Sequence, residues 1–152
     1  MRLEPLYVLR YIYPDGWAVR VGDEGSAEEQ HFYFAEGRCE GRVSGSFRAA
    51  NHPRRRSDGP YVMNMQGFIQ TDDGAVIMTD FQGYGRAYPA GRRQVVGAVR
   101  HVTDDPRYMW LNDGIGVISG EVRAPDHPQP IEQREVQLVF EVGELIWESP
   151  PE

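Results

Sequence analysis

The chain has 152 residues, with 23 acidic against 16 basic side chains and a formal net charge of −7. That length suits one domain with a single core, and that charge argues against an electrostatic grip on nucleic acid or anionic lipid. Every basic residue is arginine, which excludes Schiff-base chemistry and a phosphate loop built on lysine, while the lone Cys39 excludes an intrachain disulfide and a cysteine-rich zinc site.

In chain order, Leu6 to Tyr13 alternates and stops at Pro14-Asp15-Gly16, a turn signal in which proline presets φ and glycine tolerates a positive one. Trp17 to Val21 reads as the returning strand of a hairpin. Gly22 to Gln30 is small and acidic and reads as a loop or at most one helical turn. Strands follow at His31 to Ala35 and Arg38 to Phe47, separated by Glu36-Gly37, and Arg48 to Gly59 lacks periodicity and reads as the longest loop.

Two β-type runs then flank Thr71-Asp72-Asp73-Gly74. The first places Asn64, Gln66, Phe68 and Gln70 on one face and Met63, Met65, Gly67 and Ile69 on the other. The second places Asp80, Gln82, Tyr84 and Arg86 opposite Ile77, Thr79 and Phe81. Periodicity defines two faces without saying which one looks into a cavity. Beyond a loop at Tyr88 to Arg93, strands are expected at Gln94 to Thr103, Tyr108 to Leu111, Gly114 to Arg123 and Ile131 to Ile146, with Asp104-Asp105-Pro106 and Ala124 to Pro130 as breaks.

Roughly nine short strands rich in β-branched and aromatic residues, punctuated by 17 Gly and 11 Pro, indicate an all-β chain. Such strands close into a barrel or stack as a sandwich, because an open sheet leaves a face and two edges uncovered. A single antiparallel β-barrel with a central cavity, spanning residues 1–148 with a frayed tail at 149–152, is the preferred reading, since a sandwich needs its second face apolar. The N-terminal residues lack the pattern of a secretory signal and no apolar run is long enough to cross a bilayer, so a soluble, cytoplasmic protein is expected.

The series Thr71-Asp72-Asp73-Gly74-Ala75-Val76-Ile77, then Asp105-Pro106-Arg107-Tyr108-Met109-Trp110-Leu111-Asn112, then the strand Val136 to Val142, resembles the small β-barrel family catalogued as domain of unknown function 3237. The similarity covers roughly Phe34 to Val142. Its most specific part, Arg107 to Asn112, looks like that family's Tyr-x-Trp-Leu-Asn motif. The resemblance implies a closed barrel around a cavity and a role with a small molecule. Three departures stand out: Asn64 where members tend to have aspartate, His101 where an aromatic is usual, and Arg54 to Arg56 in place of a segment containing Asp-Trp. An acid-dependent activity found elsewhere in the family would be lost here or rebuilt around His101.

Several residue groups could carry chemistry, each with a plainer reading beside it. Asn64, Gln66, Gln82 and Arg86 can hold carbonyl, hydroxyl or carboxylate groups if they face a cavity, or simply coat a solvated hairpin. Asp80 is a general base if buried and a surface carboxylate paired with Arg86 if not. His101 shares a strand face with Val95, Gly97 and Val99 and serves either as a proton carrier or as a satisfied core histidine. Tyr108 and Trp110, read as one strand face, stack on a planar ligand or plug a barrel end. Arg107 before them reaches a carboxylate or caps the rim. His31, His52 and His127 show no spacing for metal ligation.

The leading expectation is a barrel enclosing a carbonyl-containing or aromatic, polyketide-like compound. It either performs cofactor-free isomerisation, cyclisation or elimination by proton transfer, with His101 or Asp80 as base, or binds and carries its ligand unchanged. An interaction module forming a homodimer is the third reading. No cofactor, metal, membrane or nucleic-acid partner is expected.

Overall fold

The computed structural model describes residues 1–23, 28–86, 94–123 and 137–152. Among them run nine strands: β1 (Arg2–Val21), β2 (Glu28–Gly41), β3 (Gly45–Asn51), β4 (Arg54–Arg55), β5 (Tyr61–Thr71), β6 (Val76–Gly85), β7 (Val95–Val102), β8 (Gly116–Arg123) and β9 (Gln137–Ile146). They form one antiparallel sheet in the order β1-β9-β8-β7-β6-β5-β3-β2, and the β1–β2 pairing closes it into a ring. The two-residue β4 bridges β2 and β5. The expected all-β barrel is therefore the fold. Closure removes the sheet edges that would otherwise template aggregation.

Alternation sets which side chains fill the tube. Leu9 and Tyr11, Ala35 and Cys39, Phe47, Met65 and Ile69, Ile77 and Phe81, Val99, Ile118, and Phe140 and Val142 point inward and are all but fully buried. Tyr11, Phe47, Phe81 and Phe140 form a chain of tilted and edge-on ring contacts across the interior, with centroids 5.3–6.4 Å apart. Aromatic pairs in such geometry add stability beyond their buried area.

The central hairpin is where the residues placed it, with β5 and β6 in register from Tyr61 opposite Gly85 to Gln70 opposite Val76. At its turn Gly74 adopts φ 93°, a left-handed conformation that β-carbons disfavour. The Thr71 hydroxyl accepts the Ala75 N–H at 2.8 Å, locking the loop.

Two breaks read from local signals are not breaks. Pro14-Asp15-Gly16 is no turn: β1 runs straight through it, and the register against β2 shifts between Ile12–Glu36 and Asp15–Phe34, the mark of a bulge. Proline suits a bulge because it has no ladder hydrogen bond to donate there. Likewise β2 passes through Glu36-Gly37, and the reversal comes after Gly41. Two other segments also differ from their expectation. Residues 48–59 are not one loop, since β3 continues to Asn51 and β4 follows. Tyr108 to Leu111 is not a strand either, but a helical turn over Met109–Leu111 that begins after Tyr108. The expected loops at 88–93 and 124–130, and the first residues of the expected 131–146 strand, lie outside the described residues.

Candidate functional site at the open end of the barrel

One end of the tube is closed. Here the Arg107 to Asn112 segment folds over the β5–β6 turn. The Tyr108 hydroxyl donates to the Asp73 carboxylate at 2.8 Å, and the Arg107 guanidinium donates to the Asp73 carbonyl at 3.1 Å and to Asp105 at 2.8 Å. Trp110 Nε1 donates to the Arg107 carbonyl at 3.1 Å, with the Arg42 guanidinium over its ring at 4.4 Å. The Asn112 amide both accepts from and donates to the Thr103 backbone at 2.9 Å. The motif that carries the family resemblance thus works as a cap, in which Tyr108 packs half-buried against the core and Trp110 stays exposed, rather than the two sharing a strand face.

Among the described residues, the other end opens into a cavity of about 520 Å³, a size that suits a small organic molecule. Because the strands alternate in direction, its wall is built from the middle of β1, the early part of β2, the end of β3, the starts of β5, β7 and β9, and the ends of β6 and β8. Met63, Val95, Leu138 and Phe140 supply apolar surface, while Tyr11, Tyr13, Tyr33, Tyr61, His31 and Asn51 supply rings and polar atoms. Arg86 and Gln94 also contribute to the wall.

The polar side of this wall is organised. Tyr13 stacks on Tyr33 with centroids 4.3 Å apart and planes at 20°, and Asn51 Nδ2 donates to the Tyr13 hydroxyl at 2.8 Å. The Tyr33 hydroxyl lies 2.9 Å from His31 Nδ1, and His31 Nε2 lies 3.4 Å from a Glu29 carboxylate oxygen. That carboxylate also accepts the Tyr61 hydroxyl at 3.0 Å and faces Arg55 at 3.5 Å and Arg20 at 3.9 Å. The Tyr61 hydrogen bond, then His31, Arg55 and Arg20, hold Glu29 below the ordinary carboxylate range, so it stays an acceptor. Deeper in, Tyr11 is 2% exposed, and its hydroxyl, beside that of Tyr13, makes no hydrogen bond of ordinary geometry.

The residues singled out from sequence are mostly elsewhere. Asn64, Gln66, Gln82 and Asp80 sit on the outer face of β5 and β6, tied to one another: Gln66 and Gln82 both donate to Asn64 Oδ1 and Asp80 Oδ1 at 2.7–3.0 Å. The expectation that these amides face a cavity is corrected, because the face carrying Met63, Met65, Ile69, Ile77 and Phe81 is the one that gains from leaving water. Asp80 pairs with Arg100 at 2.7 Å rather than with Arg86. Hydrogen bonds from Gln82, Gln66 and Arg100 lower its pKa, the reverse of what a base near neutrality requires. Among the ligand-binding candidates only Arg86 lines the cavity.

His101 does point inward, but toward the closed end and outside the cavity wall. It is 2% exposed, and its Nε2 sits 2.8 Å from the Tyr7 hydroxyl. Burial lowers its pKa from 6.5 to about 4, which describes a neutral core histidine. A group whose folded pKa is depressed supports the fold above its unfolded pKa and loses that support as pH falls toward the folded one. Acidification from about pH 6.5 to about pH 4 should therefore cost wild type about 3 kcal/mol more than His101→Gln, measured by urea unfolding at each pH. Equal pH slopes in the two proteins would contradict this account.

Sequence reasoning missed the Glu29, His31 and Tyr33 set. Its signal was available: three chemistry-bearing residues at a two-residue spacing, which puts them on one strand face. Reading residues 22–30 as a loop cut Glu29 off from the other two. Among the described residues, no group of three or more histidine, cysteine, aspartate or glutamate side chains is arranged to hold a metal ion. Nor is any helix there long and apolar enough to cross a membrane.

No family model matches the chain, and no curated protein matches it. Solved structures do. A β-barrel-like protein from Acinetobacter baumannii AYE is 19% identical, with a TM-score of 0.72 over 94% of each chain. A conserved protein of unknown function from Rhodopseudomonas palustris is 18% identical, with a TM-score of 0.70 over 95% of this chain and 97% of that one. An enzyme from Penicillium herquei is 18% identical, with a TM-score of 0.62 over 93% of each. At such identities the likeness is one of fold.

Proposed function

We propose that this chain belongs with the domain of unknown function 3237 barrels and binds a planar, hydroxyl- or carbonyl-bearing organic molecule of aromatic or polyketide-like kind in the open end of its barrel. The observation that carries this reading is the cavity itself: about 520 Å³, walled by the stacked rings of Tyr13 and Tyr33 and by the polar side chains of Tyr61, His31 and Asn51. Aromatic walls with a few convergent polar groups are what small-molecule sites use to combine affinity with orientation. One structural neighbour is an enzyme, and a cofactor-free isomerase, cyclase or lyase built on this barrel would draw its proton-transfer groups from this wall rather than from His101 or Asp80.

Gly85 provides the test. It lines the cavity, and a β-carbon built on it meets nothing closer than Tyr61 Cβ at 3.8 Å, so a side chain can leave the backbone there without a clash at its first atom. With 2-naphthol as probe, Gly85→Phe is expected to weaken one-to-one binding at least about tenfold by isothermal titration calorimetry, whereas Gln82→Ala leaves it within about twofold. Undiminished binding to Gly85→Phe would remove the cavity from the function. Mass spectrometry of compounds that co-purify, before and after incubation, separates catalyst from carrier: a carrier returns its compound unchanged.

A further inference from the structure

Two side chains of the cavity wall, His31 and Tyr33, and the Glu29 carboxylate behind them form a line rather than a ring. Glu29, His31 and Tyr33 occupy alternate positions of β2, so the pleat delivers all three to one face at increasing depth. Glu29, an ionised carboxylate, can only accept, which requires the neighbouring His31 Nε2 to carry hydrogen. In the neutral ring Nδ1 is then an acceptor, so the Tyr33 hydroxyl donates to it across 2.9 Å. Tyr33 cannot swing away easily. Its ring is held between Tyr13 at 4.3 Å and His31 at 5.6 Å, near-parallel to both.

We propose that Glu29, His31 and Tyr33 form a proton relay opening onto the cavity, whose substrates are planar phenols or enols that present a hydroxyl to Tyr33. The proposal rests on the cavity being the binding site, as argued above. In the step, the ligand O–H bond breaks as its proton passes to Tyr33 Oη, while the original Tyr33 proton passes to His31 Nδ1. The products are a ligand oxyanion, a neutral tyrosine and an imidazolium hydrogen-bonded to Glu29, with no electron gained or lost. Proton return to the same oxygen is simple exchange. Proton return to the carbon of an enolate converts an enol to its ketone, an isomerisation with no atom added.

Two features suit the parts to these roles. Burial, with Tyr13 and Glu29 nearby, raises the Tyr33 pKa, so this tyrosine does not stand as a free tyrosinate and passes one proton on only while receiving another. Glu29 touches no ligand in this scheme. It is a positioning residue that fixes the imidazole tautomer and offers the charge an imidazolium needs, tempered by Arg55 and Arg20 on its far side.

The experiment has two arms on the whole protein. In the first, nitrogen-15 NMR of histidine-labelled protein in alkaline buffer, where imidazoles are neutral, is expected to show His31 as the Nε2–H tautomer. Tyr33→Phe should shift the Nδ1 resonance, and Glu29→Gln should let the other tautomer appear. A His31 spectrum indifferent to both variants overturns the relay. In the second arm, para-nitrophenol, whose acidity is close to that of imidazole and whose anion is yellow, reports its own ionisation when bound. Wild type is expected to hold it as the anion in mildly acidic buffer, and Tyr33→Phe to cut the bound anion about tenfold at matched occupancy, the loss of one hydrogen bond to a charged group. Probe that binds with the same colour in Tyr33→Phe overturns the relay while sparing the cavity. Probe that fails to bind wild type, or that binds Gly85→Phe equally well, overturns the cavity reading and this proposal with it.

Discussion

Phe81→Ala is expected to lower the unfolding free energy by about 3–5 kcal/mol, seen in urea titration as an earlier midpoint at similar slope. Phe81 has no exposed surface and stands between Phe47, at 5.8 Å centroid distance, and Phe140, at 6.4 Å. Deleting its ring removes the apolar transfer term and leaves a void that neighbours on several strands would have to collapse together to fill. A closed barrel resists such collapse, because moving one strand inward strains the hydrogen bonds to both its neighbours. Phe81 lies below the cavity rather than in its wall, so the same variant should keep its ligand affinity where it remains folded. A loss under about 1 kcal/mol would mean that the interior repacks freely, contrary to dense-core behaviour.

Gly37→Ala should be nearly as damaging, at about 3 kcal/mol or more, although it adds only one methyl group. A β-carbon at Gly37 would sit 2.0 Å from the Arg10 carbonyl oxygen and 2.6 Å from Tyr11 Cα. Both are backbone atoms of β1, so no rotamer change relieves the clash. Gly37 pairs with Tyr11 in the β1–β2 ladder, the pairing that closes the ring, and the strain therefore falls on closure itself. Gly85→Ala, whose β-carbon would make only ordinary contact with Tyr61 Cβ at 3.8 Å, is the matched control and should stay within about 0.5 kcal/mol of wild type. Equal unfolding midpoints for the two variants would contradict the close-crossing argument.

The relation between residues and structure differs from place to place along the chain. Around Leu138, Phe140 and Val142 the alternation was plain, and those three side chains are buried. The β5–β6 hairpin was equally legible, since turn chemistry at Thr71 to Gly74 and two runs of period two leave one pairing. Its polarity was not. Asn64, Gln66 and Gln82 drew attention as an unbroken polar face, while Gly67 and Gly83, on the apolar face, weakened the opposing signal. Glycine there reflects tight strand contact: a β-carbon at Gly83 would lie 2.3 Å from the Val96 carbonyl oxygen.

Pro14 to Gly16 shows a different limit. Turn and bulge call on the same backbone angles and the same residues, so local preference does not separate them. The partner strand does. The relay residues show a third: Glu29, His31 and Tyr33 become a set only once β2 is known to begin at Glu28 and to face inward at the open end.

By itself, the order of amino acids determined the class of fold, the hairpin at the middle of the chain and the reactions closed to a protein without lysine. These follow from short-range causes: two-residue periodicity, the φ freedom of glycine, and the chemistry of each side chain. Which face turned inward, which end was capped by Arg107 to Asn112, and which tyrosines met around a cavity were decided only by closure of the barrel. Closure joins β1 to β2 and sorts every strand face by the apolar surface it can withdraw from water, a balance struck over all the strands at once.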